Sequence, residues 1–250
     1  MGIRRGSIST PIIADGLVFN MDAANRASCI PSTNTTQSFN TISPSDGYGN
    51  FTNDTFYEAP PTSSRFTFDG VADYIEFPGI DDTILRDQQV SILIWIKAGD
   101  DGRNWIIGNP NSSNKGTAIF LYDDRVQFMI GDSSNDSWYE SLVTSFSSIA
   151  PVGTWNHVAG TFNGSEANIY VNGILRNTWN SSTGATGTPP TYPMSQPYTI
   201  AGWTNFWIGR RNANLDNCFN GSLGNAQIYN RGLSASEVLH NYNALKGRFT

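Results

Sequence analysis

Short runs of alternating apolar and polar residues, each cut off by Gly, Asn, Asp or Pro, recur along almost the whole chain. A period of two is the mark of half-buried β-strands. Gly16–Asp22 predicts a first strand. Ser64–Gly70 alternates and stops at Asp69-Gly70, and Asp73–Phe77 resumes the alternation, so the two together predict a hairpin. Val90–Ile96 is almost continuously apolar, as a strand buried on both faces would be. Trp105–Gly108, Thr117–Tyr122 and Val126–Ile130 follow, the last two divided by Asp123-Asp124-Arg125, and Trp155–Phe162 is closed by Asn163-Gly164. The sharpest local signal is Asn172-Gly173 between two strand-like runs, because a two-residue hairpin turn needs positive φ at both central positions. Phe206–Gly209 and Phe219–Tyr229 complete the series.

Two polar stretches interrupt it, residues 25–64 and residues 180–197. An uninterrupted loop of the first length is a functional or peripheral excursion, and short strands within it remain open. Only the end predicts a helix. Ser234 and Glu237 have capping-box spacing, Leu233 and Val238 stand at the staple positions, and Val238, Tyr242 and Leu245 share a face up to Gly247. The fold class expected is all-β: an antiparallel two-sheet jelly-roll sandwich with one short C-terminal helix closing an edge or end. The expected organisation is an arm over 1–15 and one domain over 16–250.

Composition narrows the function classes. Aromatic residues at 12% are too frequent for a disordered chain, and 24 Gly with 12 Pro suit many short strands and tight turns. A net charge of −6 and scattered Lys and Arg leave no basic stripe for phosphates, so no nucleic-acid partner is expected. No run reaches the length of a membrane helix, so no membrane insertion is expected, and residues 1–10 lack a signal-peptide core. Cys29 and Cys218 have no metal-ligand spacing. Cytoplasmic synthesis favours free thiols, while pairing stays open if the first and last strands are neighbours. The Asn-x-Ser/Thr triplets at Asn34, Asn53, Asn163 and Asn180 follow from the Asn, Ser and Thr content.

Several stretches together resemble laminin-G-like domains of the concanavalin A-like fold: Phe68–Phe77, Ser91–Lys97, Gly153–Phe162 with Ile169–Ile174, Ile208–Arg210, and Phe219–Glu237. The two ends, Gly16–Asn25 and Asn241–Phe249, resemble laminin-G-like structural proteins of tailed bacteriophages, especially those of marine bacteria. That resemblance implies a virion protein made in a host cytoplasm, with other capsid or tail proteins as partners and host-surface polysaccharide as a further one. Homo-oligomers would form through the long loops. Such folds carry lectins, hydrolases and inert decorations alike.

The candidate chemistry is sparse. Hydrolases of this fold use a Glu-x-Asp-x-x-Glu arrangement, and Glu58, Glu76, Glu140, Glu166 and Glu237 show no such pattern. His157 reads as a hydrogen-bonded sheet histidine and His240 as a surface residue of the helix. No enzyme is expected. Laminin-G-like domains often bind Ca²⁺ at the rim, which makes Asp69 and Asp73 the metal candidates, with Asp81, Asp82, Asp123 and Asp124 beside them; the competing reading is that such Asp residues build turns. For sugar binding, loop aromatics beside Asn or Asp are the signal. Trp105, Trp138, Trp179, Tyr192, Trp203 and Trp207 qualify, and Trp203 with Asn205 and Trp138 with Tyr139 look most like loop platforms, whereas Trp95 and Trp155 fall in core strands. The expected function is a non-catalytic virion accessory protein on capsid or tail. The alternatives are a lectin module acting as a tail-fibre adhesin and, behind it, a polysaccharide-degrading glycosidase.

Overall fold

The computed structural model describes residues 11–25, 28, 37–39, 48–52, 56–58, 64–78, 89–109, 116–132, 137–180, 184–185, 205–211 and 217–249. Within them the strands are, in chain order, Leu17–Asp22 (β1), Gln37–Phe39 (β2), Tyr48–Thr52 (β3), Phe56–Glu58 (β4), Arg65–Asp69 (β5) and Tyr74–Pro78 (β6). Next come Val90–Ala98 (β7), Asn104–Gly108 (β8), Thr117–Leu121 (β9), Arg125–Asp132 (β10), Ser137–Thr144 (β11) and, after the short helix Phe146–Ile149 (α1), Trp155–Phe162 (β12). The last are Glu166–Val171 (β13), Ile174–Asn180 (β14), Gly184–Ala185 (β15), Asn205–Ile208 (β16) and Asn220–Tyr229 (β17), followed by the helix Ala235–Leu245 (α2) and a 3₁₀ turn Lys246–Arg248.

These strands form two antiparallel sheets. Sheet A runs β15-β14-β13-β12-β7-β17-β5-β4, with β1 lying end to end with β5 along the free edge of β17. Sheet B runs β11-β10-β9-β8-β16-β6-β3-β2. The expected two-sheet sandwich with a C-terminal helix is what forms. The inner faces meet in one apolar core: Phe19 of β1 stands edge-on to Phe77 of β6 at 5.1 Å, and Phe206 of β16 lies 5.6 Å from Phe19. Aromatic pairs in these geometries contribute about 0.5–1.5 kcal/mol beyond their area burial.

Strand β7 shows why its sequence is apolar throughout. It lies at the middle of sheet A, between β12 and β17. Ile92, Ile94 and Ile96 point into the sandwich, while Leu93 points outward and is covered by Val238 and Leu233 of the α2 region, with Ala159, Tyr170 and Tyr229. The helix is placed by its capping box. Ser234 Oγ accepts from the Glu237 amide at 3.4 Å, and the Glu237 carboxylate accepts from the Ser234 amide at 2.9 Å. Gly247 does not terminate the helix with a left-handed residue; α2 ends at Leu245 and tightens into the 3₁₀ turn that contains Gly247. That tightening carries Phe249 onto Trp95, ring to ring at 4.5 Å.

Two turns follow the expected chemistry. Asn172 and Gly173 have φ of 53° and 76°, and Asp123 and Asp124 have φ of 48° and 59°, both type I′ patterns. The expected hairpin at 64–77 does not form: β5 belongs to sheet A and β6 to sheet B. Phe66, Phe68, Ile75 and Phe77 are all buried in the same core, so the two segments face each other through side chains rather than through backbone ladders. The stretch 25–64 is also not a simple excursion, since β3 extends sheet B beside β6, with β2 beyond it, and β4 extends sheet A beside β5. Polar, turn-rich composition hid these three strands, of which β2 and β4 are at sheet edges. Most of residues 180–197 lie outside the described residues, as do residues 1–10 and Cys29; Cys218 is buried beside β8.

Candidate functional site

The outer face of sheet B carries a cleft of about 370 Å³. Its floor comes from adjacent strands in register. Trp105 of β8 pairs with Phe120 of β9, which pairs with Gln127 of β10. The two aromatic rings stack at 4.3 Å with 15° between planes. In the adjoining row Gly108 and Ala118 stand between Trp207 of β16 and Met129 of β10, so small residues occupy the middle of a row with large ends. Inward-pointing neighbours such as Ile107, Ile119 and Phe128 belong to the sandwich core, and the period-two alternation leaves the opposite face for the floor.

Three arginines far apart in sequence stand on the rim: Arg103 before β8, Arg125 at the start of β10 and Arg211 after β16. The Arg103 guanidinium lies 4.1 Å from the centre of the Tyr122 ring, and Arg211 lies 5.1 Å from that of Trp105. Arg103 is held from below. Asp100 accepts from the Gly102 amide at 3.0 Å, from Asn104 Nδ2 at 2.6 Å and from Asn220 Nδ2 at 2.8 Å. Burial alone would raise the Asp100 carboxyl pKa, but these donors outweigh it and hold it below the usual range. On the far side, Asp124 Oδ1 accepts from the Ser147 amide at 2.7 Å, which depresses its pKa and ties the 123–124 turn to α1.

The residues expected at the site distribute unevenly. Trp203 lies outside the described residues. Asn205 begins β16, paired with Pro78. Trp138 and Tyr139 are in β11, a strand rather than a loop, paired with Gly131 and Ile130 of β10, the strand that supplies Gln127 and Met129 to the cleft. Trp179 is a core residue, 4% exposed. Trp105, also a sugar candidate by sequence, lines the cleft floor, with Trp207 in the adjoining row, while Tyr192 lies outside the described residues. The arginines had no sequence signal, because only the sheet order brings them together.

Asp69 and Asp73 make a turn. Asp69 Oδ1 accepts from the amides of Val71 at 2.8 Å, Ala72 at 3.2 Å and Asp73 at 3.4 Å, and Asp73 Oδ2 accepts from the Asp69 amide at 3.0 Å. Burial works to raise the Asp69 pKa, and these amides more than cancel it. Calcium takes six to eight converging oxygens, and among the described residues no three His, Cys, Asp or Glu side chains are grouped to hold a metal. Asp81 and Asp82 lie outside the described residues.

His157 is 1% exposed, and burial drives its pKa down to about 3, so the ring is neutral. Its Nδ1 has no hydrogen-bond partner among the described residues. The ring instead packs against both Trp95 at 5.4 Å and Tyr242 at 5.8 Å, which stack on each other, a packing role where a hydrogen-bonded one was expected. His240 reaches the Pro11 carbonyl at 2.8 Å.

Comparison with known proteins agrees with this architecture. The Laminin_G_3 family model, described as the concanavalin A-like lectin/glucanases superfamily, matches residues 69–239. No curated protein sequence matches the chain. Among solved structures, the receptor binding domain of botulinum neurotoxin C/D mosaic serotype superposes with a TM-score of 0.66 at 16% identity, over 92% of this chain and 52% of that one. The binding domain of botulinum neurotoxin DC in complex with SialylT gives 0.61 at 15% identity, over 92% and 52%. The Trypanosoma rangeli sialidase in complex with 2,3-difluorosialic acid gives 0.60 at 15% identity, over 98% of this chain and 37% of that one. The chain thus spans about half the length of the toxin domains, and at these identities the likeness is one of fold. With 171 of its 250 residues matched in order by that family model (69–239), this chain belongs to the concanavalin A-like lectin/glucanases superfamily, in its laminin G branch.

Proposed function

We propose that the chain is a non-catalytic carbohydrate-binding module whose ligand site is the cleft on the outer face of sheet B. The observation that carries this reading is the cleft itself. An apolar floor of stacked Trp105 and Phe120, with the amides of Gln127 and Asn217 beside it and a volume of about 370 Å³, suits one or two sugar units. Trp105 and Phe120, 8% and 6% exposed, supply the apolar contact surface, and amides serve both as donors and as acceptors for hydroxyls. The toxin domain in complex with SialylT and the sialidase in complex with 2,3-difluorosialic acid, matched over 52% and 37% of their own chains, lend the reading support as sugar-binding proteins that contain this fold.

A binding role is favoured over glycoside hydrolysis by the lining of the cleft, in which no pair of carboxyl groups stands among the described residues to serve as acid and nucleophile. The test is a glycan array with calorimetric follow-up on the whole chain, with and without Ca²⁺ to include the Asp69–Asp73 rim. Binding lost on Trp105→Ala is the expected result; absence of any glycan binding, or release of product from a polysaccharide panel, would overturn it.

The setting belongs to the same proposal. The likeness of the two chain ends to tailed-phage structural proteins supports display on a virion, with capsid or tail proteins as neighbours. Mass spectrometry of purified particles that lacked this chain would remove that part and leave the binding module.

A further inference from the structure

We propose that the saccharide bound in this cleft is anionic, its carboxylate or sulfate held by Arg103, Arg125 and Arg211. This rests on the reading of the cleft as a saccharide site. The chain carries a net charge of −6 with only 15 Lys and Arg, yet three arginines stand around one cleft, and among the described residues no carboxylate is part of its lining. Asp123 pairs with Arg103 at 3.4 Å, with both side chains more than half exposed. A pair in that setting is weak and screened, so it leaves the Arg103 fork available for a ligand. A cleft lined by one sign of charge concentrates the opposite sign within it.

The geometry selects arginine chemistry in particular. Arg103 lies over Tyr122 and Arg211 over Trp105, so aromatic rings support both guanidinium groups, which limits the side-chain freedom lost on binding. A planar guanidinium meets a carboxylate or a sulfate with two parallel N–H donors, a match that lysine cannot reproduce. The stacked floor then sits beside the anion-binding rim, which is the layout needed for a sugar ring bearing one acidic group.

The test measures binding of matched pairs by calorimetry: sialyllactose against lactose, oligogalacturonate against its carboxyl-reduced form, and sulfated against unsulfated dextran oligosaccharides. The expected result is that the acidic member of at least one pair binds at least about tenfold more tightly, weakens as salt is raised, and loses that advantage in Arg125→Gln and Arg211→Gln. Which pair responds separates a carboxylate from a sulfate. Arg125→Lys, which keeps the charge and loses the fork, should recover only part of the affinity. Near-ultraviolet circular dichroism checks that the variants fold, and the salt dependence of the unaltered protein needs no variant. Equal binding of acidic and neutral members, or acidic binding indifferent to both arginine variants, overturns the inference and leaves a saccharide site standing. Failure of every saccharide to bind overturns that reading as well.

Discussion

The ring of Phe128 in β10 fills the space that a Cβ on Gly160 in β12 would need. The two sheets therefore interlock at this point, ring against bare backbone. Gly160→Ala is expected to destabilise the fold by about 1–3 kcal/mol, read as a lower midpoint in urea with an unchanged slope. Phe128→Leu in the same background should recover part of the loss, because a smaller side chain vacates the clash.

His157 sets a second expectation. Its folded pKa, about 3, lies below the ordinary 6.5, so the unfolded chain takes up the proton first. Stability is then full above pH 6.5 and falls as the pH drops through the window from 6.5 towards 3, by up to about 1.4 kcal/mol per pH unit. Urea midpoints taken from pH 7 down to pH 5 should show this slope, and His157→Phe should flatten it. A flat wild-type profile would contradict a buried neutral ring.

Much of this sandwich was legible in the chain because its signals are local. Asn172-Gly173 demanded one turn, Ser234 with Glu237 announced the helix, and the unbroken apolar run of β7 announced a strand covered on both sides. The Asp69–Asp73 corner misled because alternation on both flanks is the same whether two strands pair by backbone or face each other across a core. The cleft was half legible. Trp105 stood out as an aromatic, but Arg103, Arg125 and Arg211 become neighbours only through the order of β8, β9, β10 and β16 in sheet B, which no spacing encodes.

Glu237 closes a compact charged cluster. Arg231 donates to both of its oxygens, at 3.1 and 2.7 Å, and the Ser234 hydroxyl donates at 2.8 Å. The Arg231 pairing, aided by Ser234 against the pull of burial, lowers the Glu237 pKa to about 2 from 4.5. The stabilisation is complete above pH 4.5 and is lost as the pH falls from there towards 2. Glu237→Ala should cost about 1–3 kcal/mol at neutral pH, and its difference from the unaltered protein should shrink in acid, as thermal melts at several pH values would reveal.

Asp100 acts as a brace for the loop that carries Arg103. Asp100→Ala strands Asn104 Nδ2 and Asn220 Nδ2, and is expected to cost about 1–3 kcal/mol. It should also weaken ligand binding at the cleft without touching the ligand. Hydrogen exchange that leaves residues 99–103 as protected as before would contradict the brace.

Arg248 reaches back to Asp22 with two hydrogen bonds of 2.8 and 2.6 Å, Asn241 accepts from the Ile13 amide at 2.8 Å, and Phe249 stacks on Trp95, so both ends of the described chain gather on the helix side of sheet A. The arginine-rimmed cleft opens from the outer face of the other sheet. The molecule thus has a back and a front. Copies tethered through either end would all turn the same reading surface outward, and a dense array of them could hold a polysaccharide by avidity even where each single contact is fleeting.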